Sequence, residues 1–420
     1  MTAGADVIIV GGGPAGSSTA WHLARAGARV TVVDRAGFPR AKPCSEYLSP
    51  EASRLLDAMG VLVACERAGA AELAGMAIRA PDGARAVGRF DGAHGFHGYR
   101  DRGLALRRTV LDGILLDAAR GAGARVAEGT QVTDLLRGPH GEITGVRTLD
   151  DRGAAAEMRA TLVVGADGLR SVVARRLGLA RTAAHPRRLA FVSHWRGVRG
   201  MGALGEMHVE RDGYCGLARV DDGLTNVAVV VPVEDARAAK GRAADFLASW
   251  IAARPHLAPR FAGAQPVDDV MVTGPFAQRA RRAWAPGAAL VGDAADFYDP
   301  FTGEGIFAAL RGGELLAPFA LAALGASRER EARAAMAAYD RARRAAFGGK
   351  WRLERLVALA VGSPVLMGRA ARALAARPEL ADLLVGVTGD FVPPREVLSL
   401  SYVSRLLWFA ARPVPAPAVP

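Results

Sequence analysis

The sequence predicts an α/β fold with a doubly wound sheet, a second domain on an antiparallel sheet, and a helical C-terminal extension. Three observations support this prediction. The apolar run Val7–Val10 passes directly into the glycine-rich segment Gly11–Gly16, which precedes residues with helical spacing. Short segments of alternating polarity are concentrated between residues 73 and 232. From residue 329 onward, helical spacing is interrupted by prolines.

The glycine-rich segment has the pattern G-x-G-x-x-G of a dinucleotide-binding turn. The strand before it is too short for a helix and apolar throughout, as in a buried parallel sheet. Gly11 permits the tight turn, Gly13 lets backbone N–H groups approach a pyrophosphate, and Gly16 lets helix and strand pack closely. A second apolar strand, Arg29–Val33, ends in Asp34, where a carboxylate can bind both hydroxyls of a ribose. This part of the chain is therefore predicted to bind a dinucleotide.

The composition limits the size and the partners of the protein. A chain of 420 residues is long enough for two or three domains. The net charge of +12 comes mainly from arginine. It either reflects genomic base composition or attracts anions such as NADPH, carrier-bound or CoA-bound substrates, or acidic lipids. The arginines are spread along the chain, which argues against a nucleic-acid partner.

The cysteines indicate the compartment. Cys44, Cys65 and Cys215 are odd in number and widely spaced, which predicts neither a disulfide framework nor a metal site and favours a reducing cytoplasm. Residues 1–5 run straight into the first strand, which leaves no room for a signal peptide. No apolar stretch reaches the roughly 18 residues that a membrane span needs. A cytoplasmic protein is therefore expected.

Turns, capping residues and periodicity predict the remaining elements in order. Ser49 and Pro50 begin a helix that stops at Gly60, and residues 91–102 form a loop. Strands are predicted at 73–79, 85–90, 125–127, 131–136, 143–149, 158–164, 189–198, 205–210, 214–220, 226–231, 268–273 and 288–291. Helices are predicted at 109–122, 234–254 and 305–324, with a short one that ends at 178. Residues 329–411 are predicted to be helical, with breaks at Pro364, Pro378 and Pro393.

Two further motifs follow in the chain. Gly165–Gly168 reads G-A-D-G, and Gly292-Asp293-Ala294 is followed by P-F-T-G-E-G-I at Pro300–Ile306. Together with the glycine turn and Asp34, they resemble the FAD-dependent oxidoreductases that include p-hydroxybenzoate hydroxylase and the geranylgeranyl reductases. The resemblance implies a glutathione-reductase-like FAD domain and an enzyme that moves electrons between NADH or NADPH and an organic substrate.

The domain division combines this resemblance with the predicted elements. The FAD-binding domain is expected to be discontinuous, at residues 1–72, 104–185 and 268–327. The substrate domain comprises 73–103 and 186–267. A helical C-terminal extension occupies 328–412, and a flexible tail occupies 413–420.

The resemblance implies a role for each motif. Asp293, at the carboxyl end of a strand, is similar to the acid that binds the ribityl chain. The helix that begins near Gly303 and Gly305 directs its positive N-terminus at the pyrimidine edge of the flavin. Asp167 resembles an acid near the diphosphate of the cofactor. Arg108, within R-R-T-V-L-D, resembles the arginine that lies over the flavin, while the adjacent Arg107 is interpreted as solvated. Further cofactor contacts implied by the resemblance are Ala15, Arg35, Lys42, Val132 and Ile306.

Lys42-Pro43-Cys44 with a downstream Ser-Pro resembles the geranylgeranyl reductases, in which the cysteine lies near the flavin. Lys42 could depress the pKa of the Cys44 thiol and make it reactive. Alternatively, Cys44 is a small residue packed beside the cofactor. Two features depart from these reductases: Ser45-Glu46-Tyr47 replaces the usual glycine after the cysteine, and the Y-x-W-x-F-P segment is missing near Tyr214. The W-x-W-x-I-P segment of flavin halogenases is also missing, and His194-Trp195 is a poor substitute for it.

Substrate chemistry is expected on the second block of strands. Alternation puts His194 and Trp195 on opposite faces, as it does Met207 and His208. Tyr214 or Arg219 could orient a phenol or a carboxylate there. The predicted catalytic residues are Cys44 and Tyr214, and no metal site is predicted.

Three functions stay open at this stage. The first is a monooxygenase, in which a flavin C4a-hydroperoxide hydroxylates an aromatic or polyketide-like lipophilic compound. The second is a flavin reductase of prenyl C=C bonds, and the third is an electron-transfer flavoprotein that feeds a quinone. The C-terminal helices either pack on the main body through Leu353, Leu356, Val357 and Ala360 or form a lid. Leu400–Phe409 could touch a membrane surface. No oligomeric state is predicted.

Overall fold

The apolar run near the N-terminus forms a buried strand in the middle of a parallel sheet. The structure is a computed structural model that describes residues 4–92, 95–182, 187–239 and 241–409. In chain order the strands are β1 Ala5–Val10, β2 Val30–Val33, β3 Tyr47–Leu48, β4 Ala71–Leu73, β5 Gly75–Arg79, β6 Arg85–Arg89, β7 Gly103–Ala105, β8 Arg125–Ala127, β9 Thr130–Arg137, β10 Ile143–Asp150, β11 Ala155–Gly165, β12 Ala180–Thr182, β13 Arg188–Arg196, β14 Leu204–Glu210, β15 Gly213–Arg219, β16 Thr225–Pro232, β17 Gln265–Pro266, β18 Met271–Thr273, β19 Gln278–Ala280, β20 Trp284–Ala285, β21 Ala288–Leu290 and β22 Asp296–Phe297. The helices are α1 Pro14–Arg25, α2 Pro50–Ala58, α3 Leu62–Arg67, α4 Arg108–Gly121, α5 Val172–Arg176, α6 Val233–Ala236, α7 Ala243–Ala252, α8 Ala258–Phe261, α9 Gly305–Leu324, α10 Glu329–Val361, α11 Pro364–Ala376, α12 Pro378–Thr388, α13 Pro394–Val397 and α14 Leu400–Phe409.

The first large sheet has the order β20-β21-β11-β1-β2-β8. Strands β21, β11, β1, β2 and β8 run parallel to one another. Strands β10 and β9 continue from β11 as an antiparallel meander. Residues Val7, Ile8 and Ile9 of β1 are fully buried because the meander and helices α1, α4 and α9 contribute to the same core. The predicted α/β fold is confirmed, and the carboxyl ends of β1, β11 and β21 lie side by side at one edge.

The second large sheet has the order β17-β13-β16-β15-β14-β5-β6, with β18 also paired to β13. It is antiparallel except for β14 and β5, which run parallel because β5 and β6 join the sheet from an earlier part of the chain. On one face, Phe191, Leu217 and Val229 pack with α7. On the other face, Val192 and Tyr214 pack with α11 and with residues of the third motif. The domain boundaries given above stay a prediction.

Three predicted elements differ from the structure. The helix predicted over 234–254 is broken between α6 and α7, where Gly241 has a φ of +76° that does not continue a right-handed helix. The strand predicted over 268–273 begins only at Met271, and the carboxylate of Asp268 bonds to His194 instead. The segment predicted as one strand over 73–79 is divided at Ala74 between two sheets.

The C-terminal extension is helical and breaks at the predicted prolines. Leu353 is buried, but Leu356 is 51% exposed, so the predicted apolar stripe is wrong at that residue. Helix α9 is, within the described part of the chain, the one helix that is long and apolar enough to cross a membrane. The expectation that no apolar stretch has that length is therefore wrong, although α9 packs against α1 and α10. The predicted flexible tail at 413–420 lies outside the described residues.

Candidate active site

The glycine turn is shaped so that side chains would not fit. Gly11 has a φ of +104°, and a Cβ there would lie 2.5 Å from the carbonyl oxygen of Ala166. A Cβ on Gly16 would lie 1.8 Å from the carbonyl oxygen of Gly11, so the helix can approach the turn this closely only with glycine at position 16. Helix α1 begins after Gly13, and no described side chain caps it. Its N-terminal N–H groups are therefore suited to a phosphate.

The acid at the end of β2 lies beside this turn, as predicted. Asp34 is buried, and its Oδ2 accepts a hydrogen bond of 2.7 Å from the backbone N–H of Gly12. Its Oδ1 accepts a second bond from the N–H of Ala36, at 2.9 Å. Arg40 lies 3.7 Å from the same carboxylate, whereas Arg35 is exposed. Val132 is buried in the core of the sheet, in strand β9.

The second motif follows β11 at the same edge. The N–H of Ala166 donates to the carbonyl oxygen of Val10, which fixes the motif against β1. Asp167 Oδ2 accepts from the N–H groups of Val172 and Val173, at 2.6 and 3.3 Å. Its Oδ1 is buried and has no hydrogen-bond partner among the described residues. Burial raises the pKa of Asp167, so this oxygen is suited to a polar ligand group.

The third motif meets the first two. A Cβ on Gly292, whose φ is +57°, would lie 2.9 Å from the Cβ of Ala15 in α1. The carboxylate of Asp293 lies 3.8 Å from the ammonium of Lys42. The same ammonium is 3.4 Å from the position of a Cβ on Gly168. The three motifs therefore converge at the carboxyl edge of the parallel sheet, where an open α/β sheet binds its ligand.

Helix α9 begins beside this edge. Gly303 has a φ of +72°, and a Cβ there would lie 3.0 Å from the ring of Tyr47. Gly305 is the first residue of α9, and Ile306 in its first turn is buried. The uncapped α1 terminus, the unpartnered Asp167 oxygen and these glycine cradles fit FAD. Residues that would hold it are Gly11, Gly13, Ala15, Gly16, Asp34, Arg108, Asp167, Asp293, Gly303, Gly305 and Ile306.

Arg108 is buried at the start of α4. Its Nε and Nη2 donate to the two carboxylate oxygens of Asp112, each at 2.7 Å. Burial opposes its charge, yet Asp112 and the nearby Cys44 raise the pKa of the Arg108 guanidinium above its usual value. The expectation that Arg107 is solvated is wrong, because its Nε donates at 2.6 Å to the buried carboxylate of Asp221.

Cys44 is half-buried, and its sulfur accepts a hydrogen bond of 3.3 Å from the N–H of Glu46. The cation that contacts its thiol is Arg108. Lys42, which the sequence suggested for this role, is directed at Asp293. The structure thus brings Cys44 to the predicted flavin contact Arg108.

Glu46 is the residue that sequence reasoning missed. It is 2% exposed and has a φ of +62°, a left-handed conformation that is uncommon for glutamate. Its Oε1 accepts from the backbone N–H of Arg108 at 2.8 Å, and its Oε2 accepts from Asn226 Nδ2 at 3.0 Å. The imidazole Nε2 of His194 lies 2.7 Å from the same Oε2. The one sequence signal was the departure from glycine after Cys44.

His194 joins Glu46 to Asp268. Its Nδ1 lies 2.5 Å from Asp268 Oδ2. Burial alone would lower the pKa of His194, but the two carboxylates outweigh it and raise the pKa to about 9. The ring is therefore a cation at neutral pH. No sequence signal identified Asp268, which was assigned to a strand.

His194 and Trp195 lie on opposite faces of the sheet, as alternation predicted. The Trp195 ring packs with Phe261 on the α7 side, 5.3 Å between ring centroids, whereas His194 is directed at Glu46.

Tyr214 lies on the face of the sheet that meets the third motif. Its hydroxyl donates to Asp299 Oδ1 at 2.7 Å, and its ring packs edge-on against Phe301. Arg188 binds the other oxygen of Asp299, at 2.9 Å. Burial and the Asp299 charge raise the pKa of Tyr214 well above its usual value. Its catalytic role stays a prediction, and Arg219 is exposed.

Comparisons with known proteins agree with this geometry. The model of the FAD binding domain family matches residues 4–348. A digeranylgeranylglycerophospholipid reductase of Methanothrix thermoacetophila is 32% identical over 73% of this chain and 75% of that protein. Conditioned medium factor receptor 1 of Dictyostelium discoideum is 29% identical over 74% of this chain, but the match spans only 62% of that protein. The flavin-dependent brominase Bmp2 has the same fold, with a TM-score of 0.81, 19% identity and 97% of each chain covered.

The fold and the three converging motifs define an FAD-dependent oxidoreductase. The chain belongs to the FAD binding domain family, in the superfamily of p-hydroxybenzoate hydroxylase and the geranylgeranyl reductases.

Proposed function

We propose that the protein is an FAD-dependent monooxygenase that hydroxylates an aromatic or polyketide-like lipophilic substrate, with NADH or NADPH as electron donor. The observation that carries this proposal is the polar wall beside Cys44, made of Glu46, His194 and Asn226. A phenolic hydroxyl can exchange hydrogen bonds with such a wall, whereas a plain hydrocarbon chain cannot.

The rest of the substrate sheet supports a lipophilic molecule. Tyr214, Phe276, Phe297 and Phe301 pack together on the face that meets the third motif. Aromatic side chains bury large apolar areas and exclude water. A substrate with an apolar body and one polar end matches this combination of an aromatic surface and a polar wall.

FAD supplies the oxidation–reduction chemistry when it is bound. The protein contributes binding and orientation: the α1 terminus would hold the pyrophosphate, Asp34 the ribose and Asp293 the ribityl chain. The positive terminus of α9 would stabilise negative charge on a bound flavin by roughly 0.3–1 kcal/mol when exposed, and by up to ~2 kcal/mol when partly buried. Arg108 holds a permanent positive charge in the same region.

A second candidate is a reductase of prenyl C=C bonds. The observation that favours it is Cys44, which lies in a Lys42-Pro43-Cys44 segment against Arg108. A relative that is 32% identical is named as a reductase of a digeranylgeranyl lipid. FAD, when bound, would supply the reducing equivalents for this reaction, and the Cys44 thiol would donate the accompanying proton to a carbon of the double bond.

Product analysis with and without oxygen tests both candidates. The purified protein is reduced anaerobically and then given alkylated phenols or prenyl lipids, with or without isotopically labelled O₂. The monooxygenase proposal predicts turnover of a phenol only with O₂, and one labelled oxygen in the product. Anaerobic reduction of the prenyl lipid that is lost in Cys44→Ala would instead support the reductase.

Two further expectations belong to this proposal. A reducing cytoplasm fits the three free cysteines. A membrane contact at α14 fits Leu400, which is 89% exposed, although the side chains of residues 407–409 lie outside the described part of the chain. Flotation with anionic vesicles tests this contact, and a chain that stays at the bottom of the gradient would contradict it.

A further inference from the structure

A line of hydrogen bonds runs from the outside of the protein to the Cys44 segment. The Asp268 side chain is 40% exposed, whereas those of His194 and Glu46 are only 6% and 2% exposed. Asp268 Oδ2 is 2.5 Å from His194 Nδ1, and His194 Nε2 is 2.7 Å from Glu46 Oε2. The two ring nitrogens of one histidine thus face one carboxylate at the surface and one in the interior.

Backbone contacts hold both carboxylates in place. Asp268 Oδ1 accepts a bond of 2.8 Å from the N–H of His194 itself, which aligns its other oxygen with the ring. Glu46 is fixed by the N–H of Arg108 and by Asn226. The left-handed backbone of Glu46 is the kind of local strain that concentrates at functional sites.

We propose that Asp268, His194 and Glu46 conduct a proton between solvent and the substrate bound beside Cys44. For delivery, the His194 cation releases its Nε2 proton to Glu46 Oε2 and keeps its Nδ1 proton, which is hydrogen-bonded to the Asp268 carboxylate. Once this remaining proton has moved to Nε2, the bare Nδ1 takes a proton from water by way of Asp268. One proton thus enters and one leaves the line, and no electrons move. Glu46 exchanges the proton with the substrate and is a catalytic residue, whereas His194 and Asp268 act through it. For deprotonation of a phenol, Glu46 accepts the phenol proton and passes it to Nε2 of the neutral His194 ring, whose Nδ1 proton then leaves through Asp268 to water.

The charges around the line support delivery of a proton toward the substrate. The described charged groups that contact the His194 ring are Glu46 and Asp268. Arg108 lies on the far side of Glu46, and its guanidinium is paired with Asp112. The pKa of His194, raised to about 9, keeps the carrier protonated at neutral pH. The inference requires only an FAD-dependent oxidoreductase whose substrate binds against the polar wall. It therefore does not depend on the choice between hydroxylation and alkene reduction.

The first test measures the His194 pKa itself, without turnover. Histidine-labelled protein is titrated by NMR in the FAD-free and FAD-bound forms, and His194→Gln assigns the resonance among the eight histidines. We expect Asp268→Asn to lower the His194 pKa by roughly 1 to 3, the usual effect of a neighbouring opposite charge. Asp269→Asn is the matched control, because Asp269 is an exposed neighbour. A wild-type pKa near 6.5, or equal values in both variants, would overturn the proposal.

The second test uses the half-reaction that converts substrate. His194→Gln is expected to lower its rate by about 100-fold or more and to abolish the solvent deuterium isotope effect, since general acid–base steps contribute roughly 10²–10⁴-fold. Asp268→Glu is expected to restore the pH profile that Asp268→Asn loses. If flavin content is normal and the pH profile and isotope effect of His194→Gln match wild type, the line carries no proton. Absence of turnover with every phenol and prenyl lipid would contradict the proposed function. It would leave the proposed proton line to the NMR titration, which requires no turnover.

Discussion

The ammonium group of Lys42 lies 3.8 Å from the carboxylate of Asp293, although Lys42 follows the first motif in the sequence and Asp293 belongs to the third. This contact joins the segment that carries Cys44 to the third motif. The glycine turn and the third motif lie on the same side of the molecule, since a Cβ on Gly292 would lie 2.9 Å from the Cβ of Ala15.

Asp293→Ala is expected to weaken FAD binding about 10- to 100-fold, because a hydrogen bond to a charged group contributes roughly 1.5–3 kcal/mol. Titration of the apoprotein by flavin fluorescence measures the dissociation constant. Asp151→Ala, at an exposed turn, is the control and should bind FAD normally. Equal affinities for the two variants would exclude Asp293 from the cofactor site.

Gly16→Ala is expected to lower the free energy of unfolding by about 1–3 kcal/mol or more and to abolish FAD binding, because its Cβ would overlap the Gly11 carbonyl. Gly113→Ala, within α4, is the matched control, since a Cβ there meets nothing within 4 Å. That substitution should raise the stability by up to ~1 kcal/mol. Chemical denaturation and flavin absorbance measure both effects, and a yellow, stable Gly16→Ala protein would contradict the proposed turn.

The stability of the apoprotein is expected to fall as the pH rises from about 6.5 to about 9. His194 has a pKa raised to about 9 in the folded chain, against 6.5 when unperturbed, so over this range the native state holds a proton that the unfolded chain has lost. The contribution is complete below pH 6.5 and is lost as the pH rises through 9.

Denaturation curves at a series of pH values test this slope. His194→Gln should remove this part of the pH dependence, whereas His140→Gln, at an exposed position, should retain it. A wild-type slope that persists unchanged in His194→Gln would show that another group is responsible.

Tyr214→Phe is expected to lower the free energy of unfolding by about 1–3 kcal/mol, because Asp299 loses a buried hydrogen-bond donor. Since the hydroxyl already donates its hydrogen bond to Asp299, the fall in turnover rate should be smaller than the fall expected in Cys44 or Glu46 variants. Thermal denaturation and steady-state kinetics give the two quantities. A large fall in kcat without a loss of stability would instead make Tyr214 catalytic.

Much of the cofactor site could be predicted from the sequence. Gly11, Gly16 and Asp34 were identifiable because a tight turn, a close helix approach and a strand end each demand particular residues within a short stretch. Asp167 and Asp293 could be placed because their motifs resemble those of the family, and Asp293 also lies close to the end of a predicted strand. Glu46 was visible only as a departure from glycine, and Asp268, the other carboxylate that contacts His194, was assigned to a strand.

The sequence by itself thus determined the parallel sheet, the dinucleotide turn and the order of the motifs, since these depend on local backbone conformation and on periodic burial. Only the tertiary structure decided that Glu46, His194 and Asp268 form one line, that Arg107 binds Asp221, and that Tyr214 binds Asp299. The members of each set come from different elements of the chain. They meet because the antiparallel sheet docks its inner face on the carboxyl edge of the parallel one, and no local pattern encodes that docking.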